Sequence, residues 1–195
     1  MPILYTDLNS SIRATIAALN LDQYLSSVDY TASCIAETYQ EVFSGTQIDP
    51  RSILKVTIPA TSVQEGQLIV LSSISLVSVC EHHFLPFFGY VDLCYVVNTS
   101  IIGLGQLTEL VKALMRRPQL QEKITDELAF YINEALQPKG IGIHVVARHF
   151  CELMRGTREE NQVFSTYRYV GALENNQMYR DSFMKSVEHT LLKLK

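Results

Sequence analysis

Two short clusters of cysteine and histidine offer the clearest chemistry in this sequence. They are CEHH at 80–83 and HFC at 149–151, each at the end of a run that is predicted to form a strand. Cysteine and histidine are the usual zinc ligands, and a site with two thiolates and one imidazole leaves a fourth position for water, as catalytic zinc sites do. Because side chains alternate along a strand, His149 and Cys151 are predicted to share one face. A metal held by Cys151 would then have His149 beside it.

Two histidines of these clusters, His82 and His149, remain as candidate proton carriers near such a metal. Cysteines and histidines near strand ends are also often plain buried residues, so spacing by itself leaves a structural role open. Cys94, inside a predicted strand, is interpreted as a core residue.

Three polar residues outside the clusters are further candidates. Gln121 and Glu122 fall in the first turn of a predicted helix, where a carboxylate can simply complement the helix dipole. Arg155 directly precedes Gly156 and is compatible with an ordinary surface arginine. The residues alone do not decide between these roles and a binding function.

The composition narrows the class of protein. The chain has 195 residues, of which 47% are hydrophobic and 18% charged, and its net charge is −4. This length fits one domain, or one domain with a helical appendage, and the low charge favours burial of surface against other subunits. The negative charge argues against broad nucleic-acid binding, which needs a basic surface.

Signals for export or membrane insertion are not evident. The chain contains no apolar run of about 18 residues, the length that predicts a membrane span. Its first residues, MPILYTDLNSSIR, lack the basic and then apolar pattern of a signal peptide. We therefore expect a cytoplasmic protein with no membrane partner, whose cysteines serve a metal or catalysis rather than disulfides.

The periodicity of apolar residues predicts an α+β fold, with a largely antiparallel sheet and helices on one side. An N-terminal helical region is expected over 1–50 and the main domain over 51–195. Helices are predicted at 7–26, 30–44 (ended by Gly45), 104–116, 118–136 and 176–194, and strands at 53–59, 67–80, 87–98, 140–151 and 162–172. Alternation along 67–80 predicts one shared face for Leu68, Val70, Ile74, Leu76 and Cys80.

Six motifs, in order over about residues 10–190, together resemble the GTP cyclohydrolase I family. They are ETYQEVFSG at 37–45, SVCEHHFLPFFG at 78–89, IGLGQ at 102–106, RRPQLQEKIT at 116–125, HFCELMRG at 149–156 and RDSFMKSV at 180–187. The resemblance implies a tunnelling fold (T-fold) and a ring-like homodecamer with sites between subunits. It also implies a zinc-dependent hydrolase that acts on a purine substrate.

The resemblance also implies roles for the candidate residues. Zinc would be bound by Cys80, His83 and Cys151, and would activate water for attack at C8 of guanine, with formate as the leaving product. His82 and His149 would transfer protons during ring opening.

A further implied role concerns base recognition. Gln121 and Glu122 would recognise the guanine edge. A carboxylate suits this task because it can accept hydrogen bonds from both N–H groups of that edge.

The chain departs from the family where the substrate's triphosphate would be held. Arg155 is retained. Cys34 and Glu109 stand where the family has arginine, Gln106 where it has lysine, Glu37 where it often has lysine, and Gly105 where it has serine. Opposite charges about 4 Å apart interact by roughly 1 kcal/mol in water and roughly 4 kcal/mol at an effective dielectric constant of 20. Loss of several such partners, with two changes to carboxylate, predicts a guanine substrate without a triphosphate. The alternative is that Glu37 and Glu109 simply face solvent on helices.

Three functions follow from this pattern. The first is a zinc hydrolase for a guanine nucleoside or base, in which Gln106 and Glu109 contact the substrate. The second is GTP cyclohydrolase I activity that yields 7,8-dihydroneopterin triphosphate. The third is an inactive paralogue with a structural or regulatory role, which the retained cysteines and histidines disfavour.

Overall fold

The computed structural model describes residues 7–194, and the chain divides into two compact units, Met1–Ser44 and Gly45–Lys195. Its helices are α1 (Leu8–Ala18), α2 (Val28–Val42), α3 (Leu104–Met115), α4 (Gln121–Leu136), α5 (Phe150–Leu153), α6 (Ala172–Asn175) and α7 (Gln177–Leu191). Its strands are β1 (Thr57–Pro59), β2 (Leu68–Cys80), β3 (Pro86–Val96), β4 (Ser100–Ile102), β5 (Pro118–Gln119), β6 (Gly140–His149) and β7 (Phe164–Gly171). Short 3-10 turns lie at Asp22–Tyr24, Ser44–Gln47, Pro50–Ser52 and Leu192–Leu194.

The first unit is a helical hairpin of α1 and α2. Its small core consists of Ile12, Ile16, Ala32 and Ala36. The predicted helix over 7–26 is too long, because α1 ends at Ala18 and Asn20 adopts a positive φ of 54°. The second helix begins earlier than predicted because the side chain of Ser27 caps the backbone N–H of Tyr30 at 3.3 Å.

The second unit is built on a five-stranded sheet in the order β5-β2-β3-β6-β7. Pairs β2–β3, β3–β6 and β6–β7 are antiparallel, and only the short β5 runs parallel to β2. The predicted α+β class is therefore confirmed. The predicted strand at 53–59 shortens to β1, which pairs with β4 in a separate two-stranded sheet. The predicted helix at 118–136 begins at Gln121 because the two residues Pro118–Gln119 form β5.

Helices cover both faces of this sheet. The apolar stripe of α3 packs with α4 on one face, where it forms the main core around Leu107, Leu110, Val111 and Leu114. On the other face, α7 contributes Phe183 and Val187 to a second core with Cys94 and Val96 of β3. The prediction that the helices lie on one side of the sheet is therefore correct for α3 and α4 but not for α7. Cys94 is a core residue, as interpreted from the sequence.

A β-bulge in β2 changes which face its side chains occupy. The pairing with β3 shifts between Leu71 and Ile74, and Ser73 within the bulge has a φ of 59°. One extra residue reverses the alternation of side chains beyond it. Consequently Leu68 and Val70, which precede the bulge, pack in the core with α7. Ile74, Leu76 and Cys80, which come after it, pack in the main core. The prediction of a single shared face was wrong for this reason.

A buried polar network ties this bulge to α7. The carboxylate of Asp92 accepts hydrogen bonds from the backbone N–H of Ser73 at 2.8 Å and from the hydroxyl of Thr190 at 2.6 Å. Its other oxygen lies 2.9 Å from Nδ1 of His144. Asp92, His144 and Thr190 are fully buried, so these bonds replace the water that the groups lose on folding.

Gly45 lies where the second unit begins, against the end of α3. A Cβ atom at this position would stand 2.2 Å from the backbone oxygen of Ala113. This close approach explains a glycine here, although α2 already ends at Val42 and Gly45 is not its immediate end. No helix within residues 7–194 has both the length and the hydrophobicity that a membrane-spanning segment requires.

Candidate functional site

Three side chains that could bind a metal converge where β2 ends. Cys80 is the last residue of β2, His83 lies in the turn that follows, and Cys151 lies in the short helix α5. Their ligand atoms all lie within 4.8 Å of one another, and Sγ of Cys80 is 3.9 Å from Nδ1 of His83. The structure thus brings together residues that are 68 to 71 positions apart in sequence (151 − 83 and 151 − 80).

The turn after β2 is closed by backbone hydrogen bonds. The N–H of Phe84 donates to the carbonyl of Cys80 at 2.9 Å, and the N–H of Cys80 donates to the carbonyl of Leu85 at 2.9 Å. Phe84 adopts a φ of 54°, in the left-handed region that ends such turns. This local geometry directs His83 back towards Cys80.

Cys151 reaches the cluster by a different path from the one predicted. The strand expected over 140–151 ends at His149, and the chain enters α5 at Phe150. Strand alternation therefore does not align Cys151 with His149, and that prediction was wrong. The tight turn into α5 brings Cys151 to the thiol of Cys80 instead.

The donor set fits a zinc ion. Tetrahedral zinc binds thiolates at about 2.3 Å and imidazole nitrogen at about 2.0–2.1 Å, so ligand atoms grouped within 4.8 Å need only a small contraction to bind one. Burial and the adjacent Cys80 raise the pKa of the Cys151 thiol. Two neighbouring thiolates are thus unfavourable without a cation, and a zinc ion would stabilise them.

His149 is held rigidly beside this cluster. Its ring stacks on Phe87, with centroids 4.6 Å apart and an angle of 6° between planes, and Phe164 meets it edge-on. Its Nε2 lies 2.9 Å from Oε1 of Gln121. Burial lowers the pKa of His149, against the smaller opposite effects of Glu122 and Glu152.

A cavity of about 340 Å³ contains the cluster and these neighbours. The three potential ligands, His82, His149, Gln121 and Glu122 all contribute to its lining. His82 is exposed, with its ring centroid 6.1 Å from that of His83. The cavity therefore combines a possible metal site, two histidines and a carboxylate.

The cavity wall is acidic. Glu122, Glu152 and Glu159 line it, and the lining drawn from the described residues includes no lysine or arginine. Glu152 directly follows Cys151, so its place could have been expected from the sequence. Glu159, Gln162 and Phe164 belong to the segment after α5 and to the start of β7, and no motif indicated them.

Other predicted contacts lie outside this lining. Gln106 is paired with the backbone of Val56, donating to its carbonyl at 3.0 Å and accepting from its N–H at 3.4 Å. Glu109 lines a separate cavity of about 270 Å³ together with Lys112 and Arg116.

Four other residues occupy positions where the family would hold the triphosphate. Arg155 is exposed in the segment after α5. Gly105 lies in the first turn of α3, and a Cβ atom there would meet nothing within 4 Å. Cys34 and Glu37 belong to α2 of the first unit, where Cys34 is half-buried and Glu37 is exposed.

Comparisons with known proteins agree with the motifs. A model of the family described as GTP cyclohydrolase I matches residues 8–188. This chain belongs to the GTP cyclohydrolase I family. A GTP cyclohydrolase I family member from Fusobacterium nucleatum, named GTP cyclohydrolase 1, is 41% identical over 91% of this chain and 91% of its own length. Another of that name, from Wolinella succinogenes, is 32% identical over 93% of this chain and 96% of its own.

The match to the GTP cyclohydrolase I family spans both units and includes Cys80, His83 and Cys151, the three potential metal ligands. The family resemblance inferred from the motifs is thereby confirmed, and with it the T-fold. Among solved structures, the apo form of the archaeosine synthase QueF-Like has a TM-score of 0.43 at 16% identity, over 53% of this chain and 93% of that chain.

Proposed function

We propose that this chain is a zinc-dependent cyclohydrolase that opens the imidazole ring of a guanine compound at C8. The observation that carries the proposal is the convergence of Cys80, His83 and Cys151 in one cavity with His149. Family membership supports the reaction class, because relatives at 41% and 32% identity are named for this activity.

The cluster of two cysteines and one histidine would hold the zinc, with Cys80, His83 and Cys151 as its ligands. When bound, zinc would lower the pKa of a coordinated water and so supply a nucleophile near neutral pH. The chain's own residues have other tasks. They must orient the base, move protons and keep the reacting atoms apart from bulk water.

Ring opening consumes two waters. The first adds to C8, and cleavage of a C8–N bond leaves a formamide; the second cleaves the formamide and releases formate. Each cleavage requires a proton on the departing nitrogen and removal of one from the attacking water. His149 and His82, which both line the cavity, suit these transfers, since imidazole gains and loses protons near neutral pH.

Glu122 is the residue to which we assign recognition of the guanine base. Its carboxylate is exposed at the first turn of α4 and lines the cavity. It can accept two hydrogen bonds from the N–H groups of a guanine edge. Gln121 beside it is buried and already bonded within the protein.

The substrate we favour lacks a triphosphate, and is a guanine nucleoside or base. Three carboxylates and no cation in the described cavity lining would repel a polyanion. The positions of Gln106 and Glu109 add to this argument, because Gln106 is bonded to Val56 and Glu109 is acidic. We retain these two residues as candidate substrate contacts that a second subunit would bring to the site.

GTP itself is the second candidate substrate, with 7,8-dihydroneopterin triphosphate as the product. The extent of similarity to proteins named GTP cyclohydrolase 1 favours it, because that similarity covers nearly the whole of each chain. Arg155 would then be one phosphate contact. An inactive paralogue is the third candidate, disfavoured because the cysteines and histidines keep a geometry suited to metal.

Formate release tests the proposed function. The zinc-loaded protein should be incubated separately with GTP, guanosine and guanine, and formate should be measured together with loss of the purine absorbance. A Cys151→Ser variant is the control, because it lacks one potential ligand. Formate from at least one compound, absent with the control, supports the proposal, whereas none from any would overturn it.

A further inference from the structure

The side chain of Gln121 is enclosed by protein groups. Only 1% of the residue is exposed. Its Nε2 lies 2.9 Å from the carbonyl oxygen of Val145, 3.0 Å from that of Phe164 and 3.4 Å from the hydroxyl of Thr166. Two carbonyl oxygens can only accept, so the end of the amide that faces them must be the NH₂ group.

The opposite end of the amide then defines the state of His149. Oε1 of Gln121 lies 2.9 Å from Nε2 of His149, and an amide oxygen can only accept. Nε2 must therefore carry a proton, and in the neutral ring the lone pair is on Nδ1. The stack on Phe87 fixes the plane of the same ring.

We propose that Gln121 is a positioning residue, which holds His149 with its proton on Nε2 and leaves Nδ1 as the nitrogen that exchanges a proton with the substrate. The inference rests on the proposed function only in the role it gives to His149. It differs from the recognition of the guanine edge that the family resemblance implied for Gln121. Both N–H groups of the amide face carbonyl oxygens of the protein. The exposed carboxylate of Glu122 is then the group available to bind the guanine base.

The surroundings of Gln121 explain why it can do this. It begins α4, and its amide contacts Val145 within β6 and Phe164 at the start of β7. One turn later, the hydroxyl of Thr125 lies 2.6 Å from that of Thr166 and donates to the carbonyl of Gln121 at 2.8 Å. The two strands and the helix thus fix the amide before any substrate binds, which is the arrangement that catalytic positioning requires.

The kinetic test replaces Gln121 by Met, which has similar length but no amide. Acid–base catalysis contributes about 10²–10⁴ in rate, so we expect misplacement of His149 to lower kcat by about 10- to 100-fold while KM changes by less than about threefold. A raised KM with unchanged kcat would instead identify Gln121 as a base-reading residue and overturn the inference. Leu128→Met is the matched control, because it also places a methionine at a buried position of α4, away from the cavity lining and the Gln121 contacts, and should keep kcat within about twofold.

Coupling to His149 gives a second kinetic readout. In the His149→Ala background, Gln121→Met should lower kcat no further, since the side chain it positions is already gone. Two losses that multiply would show independent roles and contradict the proposal.

A measurement on the unmutated protein does not depend on activity. In protein labelled with ¹⁵N-histidine, the ring nitrogen shifts of His149, assigned by their loss in His149→Ala, distinguish the two neutral tautomers. At about pH 8, where unperturbed histidine is neutral, we expect the proton on Nε2. A proton on Nδ1 would overturn the inference even if the enzyme is active, whereas absence of formate from every guanine compound would overturn the proposed function alone.

Discussion

The imidazole of His149 lies flat on the ring of Phe87, with centroids 4.6 Å apart and planes 6° from parallel. The two residues are direct partners in the pairing of β3 with β6. Cross-strand partners on one face are close enough for their rings to meet. The sheet therefore orients a candidate proton carrier through backbone pairing, next to the strand end that carries Cys80.

The candidate metal site of Cys80, His83 and Cys151 leads to the first prediction. Protein purified without chelator should contain one zinc per chain by elemental analysis. Cys80→Ser, His83→Ala and Cys151→Ser should each lower zinc content strongly, because three protein ligands are the minimum usual in catalytic zinc sites. His82→Ala should keep its zinc. A protein without metal that still released formate would refute the assignment.

The second prediction concerns His149. The His149→Ala variant should retain zinc while its turnover falls by about 10²–10⁴, the usual contribution of acid–base catalysis. Formate release and elemental analysis on the same sample measure both quantities. If zinc is lost together with activity, His149 is a ligand and its assignment as a proton carrier is incorrect.

Substrate preference is the third prediction. The acidic lining of Glu122, Glu152 and Glu159 should make kcat/KM for guanosine exceed that for GTP. A GTP value of roughly 10⁴ M⁻¹s⁻¹ or more, and well above that for guanosine, would contradict this.

The same prediction can be tested by restoring the basic residues of the family. A triple variant, Glu37→Lys, Gln106→Lys and Glu109→Arg, should gain affinity for GTP. Because exposed charges are screened by ions, the gain should shrink as salt is raised. A gain that is absent, or that does not respond to salt, would count against the electrostatic argument.

The fourth prediction is the assembly. We expect a homodecamer with sites lined by more than one subunit, because the family implies it and Gln106, Glu109 and Arg155 lie outside the cavity lining of a single chain. Static light scattering at micromolar concentration measures the mass directly. A stable monomer that is fully active would show that one chain is sufficient.

The buried Asp92 network gives the fifth prediction. Asp92→Ala would leave the groups of Ser73, His144 and Thr190 without their partner, so the free energy of unfolding should fall by about 3–5 kcal/mol. Asp126→Ala is the control, since that carboxylate is 68% exposed and 3.7 Å from Arg168, and it should change stability by less than about 1 kcal/mol. Equal effects in urea unfolding would show that the network adds no stability.

Much of the molecule was already determined by the sequence. The apolar stripe of α3 is a local property with a period near 3.6 residues, and its members Leu107, Leu110, Val111 and Leu114 are all buried. The cysteine and histidine motifs likewise identified the family, and three of their residues, Cys80, His83 and Cys151, form the candidate metal site. Both kinds of signal survive because they depend on residue identity and short spacing.

Only the tertiary structure decided how these parts meet. The bulge at Ser73 reversed the faces of β2, and the turn into α5 brought Cys151 to Cys80 without strand alternation. The amide of Gln121 is bonded to two strands that follow it in the chain, and its place in the first turn of a predicted helix did not indicate these contacts. Register and cross-strand contacts join residues far apart in sequence, and the periodicity of any one segment contains no information about them.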